Sequence, residues 1–328
     1  EKPKRLFPRW ERLAHNPSKA VSGSLPASVD LSADCTSIKD QGPIGSCTAF
    51  ASVAAMEFLQ KKFSGSQQIQ DIFSERFTYY TTRVNILGWS ASEDSGAYIR
   101  DAIKSIVKYG SCKEATFPYT SNYSQTPSSK VYNEAVKFKV ISYAKFDDGK
   151  NATERKTLIQ NIKAGLSAGV PVITGFVCYS NIWDAVGGVI PPQNGQIIGG
   201  HAVLLVGYDD SRQVFKFKNS WSSSWGDNGY GYLPYSYYIQ GDMFDIWTLY
   251  SELDGLSAIG LNVTNPSSDK QQFQKNVGDI FTTFANKLSD ITDKSKFSDV
   301  CNSLAQQYNS DTKLTSLING IHTGLQRM

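Results

Sequence analysis

The feature that most restricts the fold is a change of hydrophobic period near residue 137. Upstream, apolar residues recur at helical spacing. Residues 49–62 are rich in Ala, Met, Phe, Leu and Glu and lack Gly and Pro, which predicts a largely buried helix. Ile99, Ile103, Ile106 and Val107 form the apolar stripe of a second helix over 97–109, stopped by Gly110. Downstream, "VKFKVISYAKF" alternates and is β-branched, and "VPVITGFV", "GGHAVLLVGYDD" and "QVFKFKNSW" are strand-like, with turn residues at 209–211. "TERKTLIQNIKAGLSAG" reads as a short helix stopped by Gly169, and the Tyr-rich run from Tyr232 to Tyr238 as an edge strand and turn. A helical front half followed by a β-rich second half predicts an α+β fold.

Both ends differ from this body. Residues 1–25 are polar and basic with scattered Pro, Ser and Gly, and read as an extended arm. From Ser251 the composition changes again. Stripes at Phe273, Val277, Phe281, Phe284 and Leu288, then at Phe297, Val300, Cys301, Leu304 and Tyr308, then at Leu314, Leu317, Ile318, Ile321 and Leu325, predict helices. The expected division is an arm at 1–25, a main domain at 26–250 and a helical appendage at 251–328.

A formal net charge of +3 gives no electrostatic case for nucleic acid or for a membrane surface. No apolar run is long enough to cross a bilayer. His15, His201 and His322 show no zinc-ligand spacing, so no metal is expected. Five cysteines, Cys35, Cys47, Cys112, Cys178 and Cys301, leave at least one thiol unpaired in a monomer. If a disulfide forms, Cys35–Cys112 is the favoured pair, since both lie in the front half. "NAT" at Asn151 and "NVT" at Asn262 are glycosylation sequons, meaningful only in a eukaryotic secretory pathway.

Cys47, in "QGPIGSCTAF", can be a buried small hydrophobe, half of a disulfide, or a nucleophile. With Ser46 as N-cap it falls in the first turn of its helix, where the partial positive charge favours a thiolate. His201 opens a strand after "IIGG", and Gly199 and Gly200 permit close approach of a backbone or a substrate. Asn219 follows His201 by eighteen positions, at the end of the next strand, so antiparallel pairing can bring it beside the imidazole. An Asn oxygen there fixes the ring tautomer, completing a nucleophile–base–orienter set. Gln41, six positions before Cys47, can share an oxyanion hole with the Cys47 N–H.

"QGPIGSCTAF", "GGHAVLLVGYDD" and "KNSWSSSWGDNGYGYLP", in this order, resemble the papain family of cysteine peptidases over roughly residues 26–250, in a divergent, microbial-type form with a C-terminal helical extension. The resemblance implies a helical lobe at about 26–136 and an antiparallel β-barrel lobe at about 137–250. It implies Gln41 as oxyanion donor, Cys47 as nucleophile, His201 as base and acid, and Asn219 as orienter, with Trp221 shielding the Asn219–His201 bond and Trp225 behind it. Ser95-Gly96 takes the place of the Gly-Gly that pairs with substrate backbone. Tyr98, Gly175 and Gly199 would line the pocket for the residue upstream of the cleaved one, with room for an apolar or aromatic group. Glu57 with Lys218, and Glu75 with Lys39, fall where the family has ion pairs. The chain departs from the pattern at Ile44, where the family has a disulfide cysteine, at Thr48 for Trp, and at Ser222 for Gly.

The activity implied is a cysteine endopeptidase acting on polypeptides, with no metal or organic cofactor required; endopeptidase is implied because histidines that would confer carboxypeptidase action are missing. The alternatives are another Cys-His acyl transferase, or a non-catalytic binding protein on the same scaffold. A monomer, secreted or held in a lysosome-like vesicle, with residues 1–25 as a short propeptide restraining the site, completes the expectation.

Overall fold

The computed structural model of the chain describes residues 25–63, 72–138, 142–146 and 149–250, together with Asn302 and Gln306. The expected N-terminal arm and C-terminal helices therefore lie outside the described residues, apart from Leu25, Asn302 and Gln306.

Helix α1, Cys47–Phe63, begins two residues earlier than its composition suggested. The Ser46 carbonyl accepts the first helical bond, from Phe50 N–H at 3.1 Å, so Ser46 does occupy the N-cap position. Its hydroxyl is held by the Tyr119 hydroxyl at 2.6 Å. Helix α2, Glu75–Tyr80, is capped by the Ser74 side chain and runs directly into a π-helical turn, Thr81–Ile86. Helix α3, Ile99–Tyr109, ends at Gly110 with φ of 77°. A Cβ at Gly110 would sit 1.8 Å from the Ala135 carbonyl oxygen, in helix α4, Ser129–Ala135, so both conformation and space demand glycine. Helix α5, Ala152–Ser167, is opened by Asn151, whose side chain accepts from Glu154 N–H at 3.0 Å. Asn151 is thus a helix cap, whatever its sequon. Helix α6, Tyr235–Gln240, forms where the sequence suggested a turn.

The strands are β1 Ser28–Asp30, β2 Ser142–Lys145, β3 Val172–Tyr179, β4 Ile197–Asp209, β5 Val214–Lys218, β6 Tyr230–Pro234 and β7 Met243–Tyr250. Among the described residues they form a seven-stranded antiparallel sheet, in the order β2-β7-β3-β4-β5-β6 with β1 added to β4. The architecture is α+β, as expected; the expected barrel takes the form of this sheet, whose end strands β2 and β6 are not paired with each other. Strand β4 is central and covered on both faces, which is why "AVLLV" is continuously apolar. Val203 and Leu205 join a core with Leu158, Ile162 and Leu166 of α5 and Phe215 and Phe217 of β5. Ala202, Leu204 and Val206 point the other way, into Val53, Met56 and Phe58 of α1 and Ile103 and Ile106 of α3. Packing of α1 across β4 brings the front half against the back half.

A buried polar network ties the same junction. Lys39 Nζ lies 2.8 Å from Glu57 Oε1 and 2.5 Å from Glu75 Oε1, so the expected Glu75–Lys39 pair forms and gains a second carboxylate. The expected Glu57–Lys218 pair does not form directly. Lys218 Nζ donates to Thr36 Oγ1 at 2.9 Å, and Thr36 donates to Glu57 Oε2 at 2.6 Å; Lys39 has taken the remaining oxygen. Burial works against the charge on Lys39, yet Glu75 and Glu57 outweigh it and hold its pKa above the ordinary value. Burial, helped by the neighbouring Glu57, raises Glu75 to about 7.

The expected Cys35–Cys112 disulfide is absent: both thiols are free and buried. They belong to different apolar clusters, Cys35 with α1 and Cys112 with Phe77, Phe117 and Val131, so the packing gives them no common site.

Lys39→Met leaves two buried carboxylates without their cation, and is expected to cost about 3–5 kcal/mol in urea unfolding. Because the folded-state pKa of Glu75 is raised, from 4.5 to about 7, its contribution is full below pH 4.5 and is lost as pH rises through about 7. Glu75→Gln should flatten that fall in a stability–pH profile.

Candidate active site

Strand β4 pairs antiparallel with β5 with Leu204 opposite Lys218, which carries the residue after Lys218 along β4 toward His201. There His201 Nε2 lies 2.7 Å from Asn219 Oδ1. Asn219 Oδ1 also accepts from the Ser220 backbone N–H at 2.9 Å, so the orientation of the amide is set by two donors needing one oxygen. Both side chains are buried. With Nε2–H committed to Asn219, the imidazole lone pair resides on Nδ1. The ring is held between aromatic groups: Trp221 stacks on it at 4.4 Å and 23°, and Phe176 meets it edge-on at 5.8 Å. Trp225 stands perpendicular to Trp221 at 5.1 Å, where the sequence placed it.

Cys47 reaches this site from the other half, at the first position of α1. The backbone of Ala202, the neighbour of His201, lies close enough to the thiol to act on its pKa. Burial pushes the thiol pKa up, and the backbone of Ala202 and Thr48 pulls it down without cancelling that rise. Burial likewise lowers His201 to about 4, against the hydrogen bond with Asn219. A lone charge on either group is therefore disfavoured by burial.

Gln41 is buried beside them. Its Nε2 donates to the Ile44 carbonyl at 2.8 Å, and its Oε1 accepts from the Ser220 hydroxyl at 2.6 Å. Its carbonyl accepts from the Tyr119 hydroxyl at 2.8 Å. Ser220 and Tyr119 were given no role by sequence reasoning. Ser220 stands inside the quoted "KNSW" and could have been noticed there; Tyr119 carries no local signal, because only the fold brings it to the Gln41 loop.

The expected substrate-binding residues are dispersed. Gly96 has φ of 69°, its N–H donates to the Tyr79 hydroxyl at 3.1 Å, and its carbonyl accepts from the hydroxyl of the exposed Ser95 at 3.3 Å. Tyr98, the N-cap of α3, is 60% exposed and meets Trp89 edge-on at 5.9 Å. A Cβ at Gly175 would lie 2.7 Å from the Phe244 ring, and one at Gly200 would lie 3.4 Å from it, while Gly199 has nothing within 4 Å. Phe244 of β7 thus fills the space that two glycines open, and the sequence reading missed it. It also missed Trp183, 70% exposed, whose ring lies 5.7 Å from Trp221 and extends the aromatic wall outward. Ser222, where the family pattern has Gly, adopts φ of 68°, which explains the preference for glycine there.

Residues 25–238 match the family model described as papain family cysteine protease. An uncharacterized peptidase C1-like protein of Acanthamoeba polyphaga mimivirus is 38% identical over 224 residues, covering 66% of this chain and 70% of that protein. A cathepsin L-like proteinase of Fasciola hepatica is 28% identical over 225 residues, 66% of this chain and 63% of that one. Among solved structures, xylellain, a cysteine protease from Xylella fastidiosa, superposes with a TM-score of 0.61 at 34% identity, over 70% of this chain and 87% of that chain. Digestive procathepsin L 3 of Tenebrio molitor larval midgut shares the fold, at a TM-score of 0.54 and 21% identity, over 70% of this chain and 71% of that chain.

Ser220→Ala leaves the buried Gln41 Oε1 without its donor. The expected cost is about 1–3 kcal/mol, measured by urea unfolding, and a change below ~0.5 kcal/mol would mean that the bond contributes little.

Proposed function

Because the chain belongs to the papain family of cysteine proteases, and so is a hydrolase, we propose that it is an endopeptidase working through Cys47, His201, Asn219 and Gln41. The observation that carries the reading is the 2.7 Å His201–Asn219 bond with the Cys47 thiol at the adjacent Ala202. Asn219 keeps the Nε2–H tautomer, so Nδ1 can take the thiol proton as sulfur attacks the peptide carbonyl. The charges then arise as a pair, within the reaction, which avoids the penalty that burial imposes on either alone. The carbonyl oxygen becomes an oxyanion facing the Cys47 N–H, unpaired at the helix start, and the Gln41 N–H not given to Ile44. Imidazolium returns the proton to the leaving amine as the C–N bond breaks, giving a thioester and a free amino terminus. Water, deprotonated by His201, then hydrolyses the thioester and restores the thiol.

Trp221 excludes water from the His201–Asn219 bond, and Trp183 extends that wall on the leaving-group side. Phe244, 40% exposed over Gly175 and Gly200, offers an apolar floor to the residue upstream of the cleaved one. The substrate is polypeptide. A dormant precursor and release to a secretory or vesicular compartment, as a monomer, complete the proposal; no described helix is long and apolar enough to cross a membrane.

The deciding experiment is labelling with an epoxide-type cysteine-peptidase inactivator and location of the adduct by peptide mass. Stoichiometric labelling at Cys47, lost in His201→Ala, is expected; no labelling would put the binding-protein reading first. Peptidase activity should fall by ~10⁴-fold or more in Cys47→Ala and by about 10²–10³-fold in Gln41→Ala. His201 must be unprotonated to accept the thiol proton, so kcat/KM should fall as pH drops through about 4. An acid limb near the ordinary histidine value would contradict a buried, neutral His201.

A further inference from the structure

Two segments that must meet for peptide cleavage hang on one carboxylate–phenol pair. Gly45, two residues before Cys47, donates its N–H to both oxygens of Asp94, at 3.1 and 3.0 Å. The Tyr79 hydroxyl donates to Asp94 Oδ1. The same hydroxyl accepts the Gly96 N–H at 3.1 Å. The segments are in close contact: a Cβ at Gly45 would lie 3.2 Å from Asp94 Oδ1 and 3.3 Å from Gly96 N.

The pair has a rigid base. Tyr79 is buried in α2, and the Arg83 guanidinium lies over its ring at 4.2 Å. Arg83 is itself fully buried and donates to the carbonyls of Ser90, Ala91 and Glu93, the residues leading to Asp94. Its other nitrogen donates to the Tyr123 carbonyl at 2.9 Å. The loop is thus anchored to the π-helical turn through Arg83 and to α2 through Tyr79. Meanwhile Ile44 stands where the family has a disulfide cysteine, so no covalent tie can start beside Gly45.

We propose that Asp94 and Tyr79 form a hydrogen-bonded clasp that holds the Cys47 loop and the Gly96 loop in register, making Asp94 a positioning residue for both nucleophile and substrate. This rests on the peptidase reading above. The clasp does non-covalently what a disulfide beside position 44 cannot do in this chain. A carboxylate suits the task because it accepts from the Gly45 N–H and the Tyr79 hydroxyl at once, and a side-chain amide oxygen has lone pairs enough for the same two donors.

The test uses the full chain and two probes. Iodoacetamide, followed by peptide mass, reads the thiol alone; a fluorogenic peptide reads thiol and substrate loop together. Each variant is assayed well below its own melting temperature. Asp94→Ala is expected to slow Cys47 alkylation and to lower kcat/KM by at least about tenfold, with KM raised. Asp94→Asn drops the charge but keeps an acceptor, and should remain within about threefold of the parent. Tyr79→Phe added to Asp94→Ala should cost less than about twofold more, because both act through one clasp. The proposal is overturned if Asp94→Ala matches the parent within about twofold on both probes. It is also overturned if Asp94→Asn is as impaired as Asp94→Ala, since charge rather than geometry would then be responsible. If the parent alkylates at Cys47 but cleaves no peptide, the peptidase reading fails, while the alkylation rates still decide the clasp.

Discussion

Everything in the site depends on the packing of α1 across β4. Strand β4 has apolar residues on both faces, so it can be satisfied only by elements on each side, and α1 and α5 supply them. That burial brings the first turn of α1 to the start of the buried part of β4, and so Cys47 to Ala202. Cys47 and His201, the proposed nucleophile and base, lie in different halves of the chain, and the hydrophobic contact between those halves sets their approach. The Lys39, Glu57 and Glu75 cluster belongs to the front half, and Glu57 reaches across the junction through Thr36 to Lys218 of β5; a slip there would leave the buried Lys218 without that partner.

The site polar groups form one continuous chain over this apolar base. Ser46 meets Tyr119, Tyr119 holds the Gln41 carbonyl, Ser220 holds the Gln41 amide, and Ser220 and His201 share Asn219. Each member is ordered by its neighbour, so little reorganisation is left for the reaction itself. The burial that supplies this order also disfavours isolated charge at Cys47 and His201. In the proposed mechanism, proton transfer between them resolves the conflict, since it creates opposite charges side by side.

Much was legible in the chain because its signals are local. The α1, α3 and α5 helices follow from periodicity and glycine stops, and β3, β4 and β5 from β-branched runs. The antiparallel return from His201 to Asn219 follows from one turn at 209–211 and strand lengths of ordinary size. Other elements gave weak signals. Helix α2 and its π turn bury every residue from Glu75 to Arg83, so no polar face marks a period. Helix α6 occupies a Tyr-rich run that suits strand and helix alike, and packing against β5 decides it.

By itself, then, the amino-acid order determined the α+β class, the likeness to the papain family, and which four residues to examine, because cap positions, strand runs and motif spacing act over short stretches of chain. Only the tertiary structure decided the partners. It gave Lys39 both carboxylates and left Lys218 to Thr36, kept Cys35 and Cys112 apart in separate cores, put Phe244 over Gly175, and joined Gly45 to Gly96 through Asp94 and Tyr79. These contacts join residues far apart in the chain, and which of several chemically suitable groups meet is settled by the packing of whole elements, a property that no local stretch of sequence carries.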